Sequence, residues 1–195
     1  MQANLSKAIG FIFISEGGFA IRDTEPGGAV NMGISMETFY EWCKNTPVTV
    51  TIATLKEMTV PTATAIYKSL YADHINFDQL PSGLDYCVLD ASVNEGIAAA
   101  LLFLSVALSY NPIGIAAPDF ETLLANVRKI NLAQLRAKLV QMISSGLNDL
   151  PTLINSICDN RLAEKRKRAQ WPQFGAGWTN RVEYVRRNSL EMLGT

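Results

Sequence analysis

Apolar residues recur along most of this chain at the three-to-four-residue spacing of helices with one buried face, and polar or glycine-rich stretches punctuate them. The first such segment covers residues 5–15. There Ala8-Ile9-Gly10-Phe11-Ile12-Phe13-Ile14 supplies the apolar positions and Gly17-Gly18 ends the helix. Residues 19–34 break the pattern. Asp23, Pro26, Gly27, Gly28, Asn31 and Gly33 make this loop chemistry, with room for a short hairpin. Ser35 is placed to cap a helix through Phe39, Tyr40 and Trp42. Residues 47–52 read two ways: as a short β-branched strand, or as the approach to a short helix capped by Thr51. Pro61 opens a helix that continues through Ile66 and Tyr71.

After a break at Pro81-Ser82-Gly83, residues 84–108 read as one long helix or two abutting ones, interrupted near Gly96 and ended by Asn111-Pro112. Helical periodicity returns over residues 119–130, 132–144 and 153–168. Trp171-Pro172-Gln173-Phe174-Gly175 reads as a loop, with a last helix over 179–193. The predicted fold class is mainly α, with at most a small β-hairpin near the N-terminus.

Composition narrows what such a chain does. Its 195 residues are 48% apolar and 18% charged, which fits one domain, or two halves sharing a core, and excludes wholesale disorder. A formal net charge of −1 gives no footprint for nucleic acid. The apolar run over residues 97–108 is too short for a bilayer, which needs roughly 20 residues, so no stable membrane insertion is expected. Cys43, Cys87 and Cys158 are odd in number and widely spaced, which implies buried thiols rather than a disulfide framework. With His74 the only histidine and no CxxC pair, neither a catalytic metal nor a cofactor is expected. A cysteine peptidase built on Cys87 and His74 lacks a third orienting group. The basic run of Arg161, Lys165, Arg166, Lys167 and Arg168, with Arg186 and Arg187, reads as a solvated helix face. Attraction to the carboxylates of a wall polymer is a second reading of it.

One segment carries candidate chemistry. Glu16-Gly17-Gly18-Phe19 puts a carboxylate at a helix end, and a glycine-rich loop with Asp23 and Glu25 follows. Glycosidic cleavage calls for this pairing. One carboxylic acid protonates the leaving oxygen, and a second polar group guides water or stabilises the oxocarbenium-like charge. Phe11, Ile14 and Phe19 would supply the apolar setting that keeps such an acid protonated. Taken alone, a Glu before Gly-Gly is more often a solvated surface residue.

The order of motifs around that segment resembles glycoside hydrolase family 108, lysozyme-like N-acetylmuramidases found as phage endolysins and as muramidases coupled to secretion. The family pattern is E-G-G-[YF], an acidic loop, then D-P-G-G-A-T-N-x-G-I-T. Glu16-Gly17-Gly18-Phe19, Pro26-Gly27-Gly28-Ala29, Asn31, Gly33 and Ile34 match it in order. Downstream, Ile66-Tyr67-Lys68 with Tyr71, the stretch Leu80-Pro81-Ser82-Gly83-Leu84-Asp85, and Leu89-Asp90 with Val93-Asn94 and Gly96 resemble the family's middle. Phe174-Gly175, Gly177-Trp178, Asn180, Arg181 and Val182 resemble the end of its peptidoglycan-binding-like region.

The resemblance implies a lysozyme-like fold, with a catalytic portion over residues 1–84 and a helical peptidoglycan-binding-like portion over 85–195. It implies hydrolysis of the β-1,4 bond between N-acetylmuramic acid and N-acetylglucosamine, with peptidoglycan strands as partner. Glu16 takes the place of the essential acid. Glu25 stands where the family has Asp and is the assisting group. Gly27, Gly28, Asn31, Tyr71 and Asn94 are the substrate-binding candidates. Two readings stay open for Asn94, a cleft-lining amide or a structural one, and likewise for Tyr67 and Tyr71, sugar-stacking rings or core residues with a wet hydroxyl. Trp42 reads as core and Trp178 as a packing anchor. Val30 replaces a Thr, and Ala72 stands where a Trp often follows the Tyr. These two changes motivate an alternative, an accessory that binds peptidoglycan without turning it over. No signal peptide is read in residues 1–16. The expectation is synthesis in the bacterial cytoplasm and action on the wall or in the periplasm, reached by lysis, a holin-like route or an export system.

Overall fold

The computed structural model describes residues 2–21, 28–114, 116–146 and 148–194. They form ten α-helices and one small sheet, a mainly helical, lysozyme-like fold. The chain divides into two compact units.

The first unit is Ser6–Leu70. Helix α1 (Gln2–Glu16) enters it with Ala8, Ile9 and Ile12 buried. The strands β1 (Ala20–Ile21), β2 (Ala29–Asn31) and β3 (Ile34–Ser35) follow, antiparallel in the order β1-β2-β3. Val30 pairs with both Ala20 and Ser35, and Asn31 pairs with Ile34. The hairpin between β2 and β3 therefore has a two-residue turn, Met32-Gly33. Both residues have positive φ, at 48° and 76°, the type I′ form that matches strand twist.

Side-chain caps set the next helices. Ser35 accepts from Thr38 N at the start of α2 (Met36–Cys43). Residues 47–52 resolve in favour of the helix: Thr51 and Thr54 make a reciprocal capping box on α3 (Ile52–Lys56). Helix α4 (Val60–Tyr67) carries Pro61 in its first turn. It passes into one π-helical turn, Lys68–Ala72.

The second unit joins the residues up to Leu5 to those from Tyr71 onward. After two short 3-10 turns, helix α5 (Leu84–Glu95) has Leu84 through Ser92 all buried, so it is enclosed on every side. Gly96 separates it from α6 (Ile97–Ala107), which settles the 84–108 stretch as two abutting helices. Around them lie α7 (Phe120–Val127), α8 (Leu132–Ser144), α9 (Leu150–Arg166) and α10 (Trp171–Met192). Asp119, Asn131 and Asp149 cap α7, α8 and α9 through their side chains.

Residues 171–175, expected as a loop, are the first turns of α10. Pro172 reads as a breaker, but it falls in the first turn, where its missing N–H has no helical partner to lose. Gly175 fits because the Trp171 ring lies across it: a Cβ there would sit 2.7 Å from Trp171 Cε2.

Buried polar side chains join the helices of this unit. Asp90 on α5 accepts from Arg161 Nη2 on α9 at 2.7 Å and from Arg181 Nη2 on α10 at 3.0 Å. Glu95 takes ion pairs from Arg161 Nη2 at 3.0 Å and Lys165 Nζ at 2.6 Å. The thiols of Cys87 and Cys158 face each other in the core at 3.9 Å. That bond and burial push the Cys87 thiol well above its ordinary value, and His74 is exposed, so the two make no nucleophile and base. Among the described residues no helix is long and apolar enough to cross a membrane.

Candidate active site

Glu16 is the last residue of α1. The helix stops there because Gly17 turns left-handed, at φ 79°, and its N–H closes on Phe13 O at 3.0 Å. The glutamate is half-buried. Its stem lies against Gly33 of the hairpin turn. A Cβ on Gly33 would fall 2.8 Å from Glu16 Cγ and 2.9 Å from Glu16 Cβ, and would also meet the Tyr67 hydroxyl. Only a residue without a side chain leaves Glu16 this position.

Tyr67 completes the arrangement. It is buried, its hydroxyl donates to Met32 O at 2.9 Å, and Phe13 meets its ring edge-on at 5.7 Å. The hydroxyl thus holds the turn that flanks Glu16. Of the two readings of Tyr67, its burial favours the core one, with its hydroxyl bonded to the Met32 backbone. The sequence offered Gly33 as a motif match and Tyr67 as a ring for sugar or core, but not their packing about Glu16. The Met-Gly dipeptide after Asn31 was the available signal, since a two-residue turn of positive φ needs glycine.

Asn31, on β2, is buried and donates through Nδ2 to Leu55 O at 2.9 Å and Lys56 O at 3.2 Å. It ties β2 to the carbonyl end of α3. Gly28 precedes β2 with φ 57° and is half-buried. Glu25 and Gly27 lie outside the described residues.

The expected apolar setting of Glu16 is corrected at Ile14, which is 69% exposed. The helical phase explains it: Ala8, Ile9 and Ile12 define the buried face, and Ile14 falls two residues past Ile12, on the opposite side. Phe11 and Phe19 are half-buried, and Lys56 Nζ lies 5.6 Å from the Phe19 ring centre.

Two candidates belong to the second unit. Tyr71 is half-buried in the π-helical turn. Ala72 beside it is a core position at 2% exposure. Asn94 is half-buried near the end of α5, and its Oδ1 accepts from Lys165 Nζ at 2.6 Å. It is thereby joined to the Asp90, Glu95 and Arg161 network. Among the described residues no three His, Cys, Asp or Glu side chains cluster as a metal site.

A half-buried carboxyl at a helix end, its stem packed against a glycine turn, is able to donate a proton to a bound group, and the comparisons name the setting. The profile of the glycosyl hydrolase 108 family matches residues 9–96, which include Glu16, the hairpin and α5. The solved structure of Brucella abortus SagA is 30% identical, with a TM-score of 0.69, and the match covers 100% of this chain and 98% of that one. No curated protein matches the chain. The chain belongs to glycosyl hydrolase family 108. It is a glycoside hydrolase, of the muramidase type that acts on peptidoglycan.

Proposed function

We propose that the chain hydrolyses the β-1,4 bond between N-acetylmuramic acid and N-acetylglucosamine, with Glu16 as the acid. The observation that carries this reading is the packing of the Glu16 stem against Gly33. A proton donor must be held close to its productive position, and a stem fixed by packing does that before substrate arrives. Glu16 gives its proton to the leaving oxygen, and Glu25 guides the water that completes hydrolysis. Gly27 and Gly28 allow the strand to approach the backbone. Asn31 spends both amide hydrogens on α3, so its contact with substrate falls to Oδ1. Tyr71 and Asn94 add substrate contacts. Residues 1–84 are the catalytic portion, and 85–195 grip the wall. The protein is made in the bacterial cytoplasm and acts on the wall or in the periplasm, in lysis or secretion, with a holin-like or export route supplying passage.

The test is digestion of purified sacculi by the wild type and by Glu16→Gln, with products identified by mass spectrometry. Wild type should release fragments with reducing N-acetylmuramic acid ends. Glu16→Gln should be slower by at least about a hundredfold, the usual contribution of a positioned acid. Equal rates for the two proteins would discard the assignment.

A further inference from the structure

Helices α5 and α9 meet through three rungs of side chains at matching positions. Cys87 faces Cys158 at 3.9 Å, Asp90 accepts from Arg161 at 2.7 Å, and Asn94 accepts from Lys165 at 2.6 Å. The partners in every rung are 71 residues apart in sequence. Positions advance by three and then by four on both helices, which keeps the rungs on one face of each. They advance in the same direction, so α5 and α9 run parallel. The two polar rungs fix this register, and the register brings the sulfurs together.

The cysteine rung is placed for a covalent bond. Its sulfurs already touch, and closing by about 2 Å would bring them to the S–S length of about 2.05 Å. Side chains that pointed apart would need the backbone to move first. Packing alone does not call for two sulfurs to meet, since a buried thiol behaves as a small apolar group and suits any aliphatic neighbour. The Cys87 contact, with the charges of Arg161 and Arg186, holds the Cys158 thiol below its ordinary value, which makes Cys158 the attacking sulfur. The third cysteine, Cys43, is buried on α2 in the first unit and serves as an internal control.

We infer that Cys87 and Cys158 form a redox site, which closes into a disulfide between α5 and α9 when the chain meets a disulfide oxidant. The Cys158 thiolate attacks one sulfur of the oxidant, forms a mixed disulfide and expels the first thiolate. The Cys87 thiolate then attacks Cys158 Sγ, forms the bond between the two cysteines and expels the second thiolate. The two protons lost by the cysteines pass to the two expelled thiolates, so the oxidant is reduced to two thiols. Both sulfurs are fully buried, so exchange proceeds when α9 opens from α5, or before the two helices pack. The bond then removes freedom from the opened chain and locks the second unit. Thiols stay reduced in a reducing compartment and disulfides persist outside it, so export would set the lock. Only that last consequence rests on the wall location proposed above; the pairing rests on the rungs.

The experiment uses the full chain, purified reduced and incubated with a mixture of reduced and oxidised glutathione. Urea is added to the lowest concentration at which iodoacetamide, in a parallel sample, labels both Cys87 and Cys158. After an acid quench the chain is unfolded, alkylated and digested with trypsin without reductant. Mass spectrometry should find peptides 69–128 and 139–161 joined, with Cys43 alone alkylated. Protein kept from the oxidant should carry all three cysteines alkylated. With the urea removed, oxidation should raise the melting temperature by about 5–15 °C, the size expected when a disulfide closes a long loop in a chain of this length. Cys158→Ala should give no joined peptides, and its melts with and without oxidant should coincide. Cys87 and Cys158 recovered as free thiols or as separate glutathione adducts would overturn the proposal. A joined pair with an unchanged melting temperature would overturn the lock. None of these readings involves hydrolysis, so failure of the Glu16 chemistry leaves them standing.

Discussion

Gly33 and Glu16 occupy neighbouring space so fully that a single added carbon would fall 2.8 Å from Glu16 Cγ. Gly33→Ala therefore bears on fold and site together. An alanine at φ 76° costs about 1–2 kcal/mol for its left-handed backbone, and overpacking adds about 1–3 kcal/mol. A loss of about 2–5 kcal/mol should appear in denaturant melts. Hydrolysis at a temperature where the variant stays folded should fall as well, because the collision is resolved by moving Glu16 or Tyr67. A folded Gly33→Ala protein with wild-type turnover would show that the acid does not depend on this contact.

Asn31→Ala removes both hydrogen bonds from β2 to the end of α3. The Lys56 oxygen loses its Asn31 donor while the Leu55 oxygen keeps Met58 N at 3.2 Å, and a buried group left unmet costs about 1–3 kcal/mol. The variant should melt lower by that order. Amide exchange should quicken at Thr51 and through α3 before it does elsewhere in the first unit. Stability equal to wild type would show that water takes over both contacts.

Asp90 ties α5 to α9 and α10, and its replacement has a defined pH signature. Burial alone would raise its carboxyl, but Arg161 and Arg181 outweigh that and hold it below its ordinary value. Asp90→Asn leaves the buried Arg161 with less compensation, which costs about 3–5 kcal/mol near neutral pH. A carboxyl lowered by folding contributes its stability above its unfolded value, about 3.9 for aspartate. It loses that contribution as pH falls through the folded value. The gap between wild type and Asp90→Asn should thus be full at pH 5–7 and close as pH falls below about 4. Asp85, raised by burial, is present in both proteins and cancels from the difference. Melts followed by circular dichroism from pH 7 to 2 read this directly, and a constant gap would refute it.

What the sequence disclosed followed the range of the forces involved. Ser35, Thr51, Asp119 and Asn131 were legible as helix starts or their neighbours because a cap acts across three residues. Glu16 was legible as a helix-end carboxylate, and motif order rather than spacing singled it out. The role of Gly33 was not legible, since it depends on Tyr67 reaching Met32 from 35 residues away. The Asp90 network was hidden for the same reason: Arg161 and Arg181 lie 71 and 91 residues along the chain. The start of α10 was misread because Pro172 and Gly175 are breakers on average, and only the position of Pro172 in the first turn and the Trp171 ring over Gly175 make them compatible with a helix.

Two glycines in that helix should respond oppositely to alanine. A Cβ on Gly177 meets nothing within 4 Å, so Gly177→Ala keeps only the gain in helix propensity. That is about 0.5–1 kcal/mol, because glycine loses more backbone freedom on folding. A Cβ on Gly175 would sit 2.7 Å from the Trp171 ring, so Gly175→Ala must displace it. The ring's contact with Trp178 is then disturbed, and overpacking of about 1–3 kcal/mol exceeds the propensity gain. Gly177→Ala should therefore melt above wild type and Gly175→Ala below it. Only Gly175→Ala should alter the near-ultraviolet dichroism of the tryptophans. If both variants melt above wild type with unchanged spectra, the Trp171 ring does not rest on Gly175 in solution.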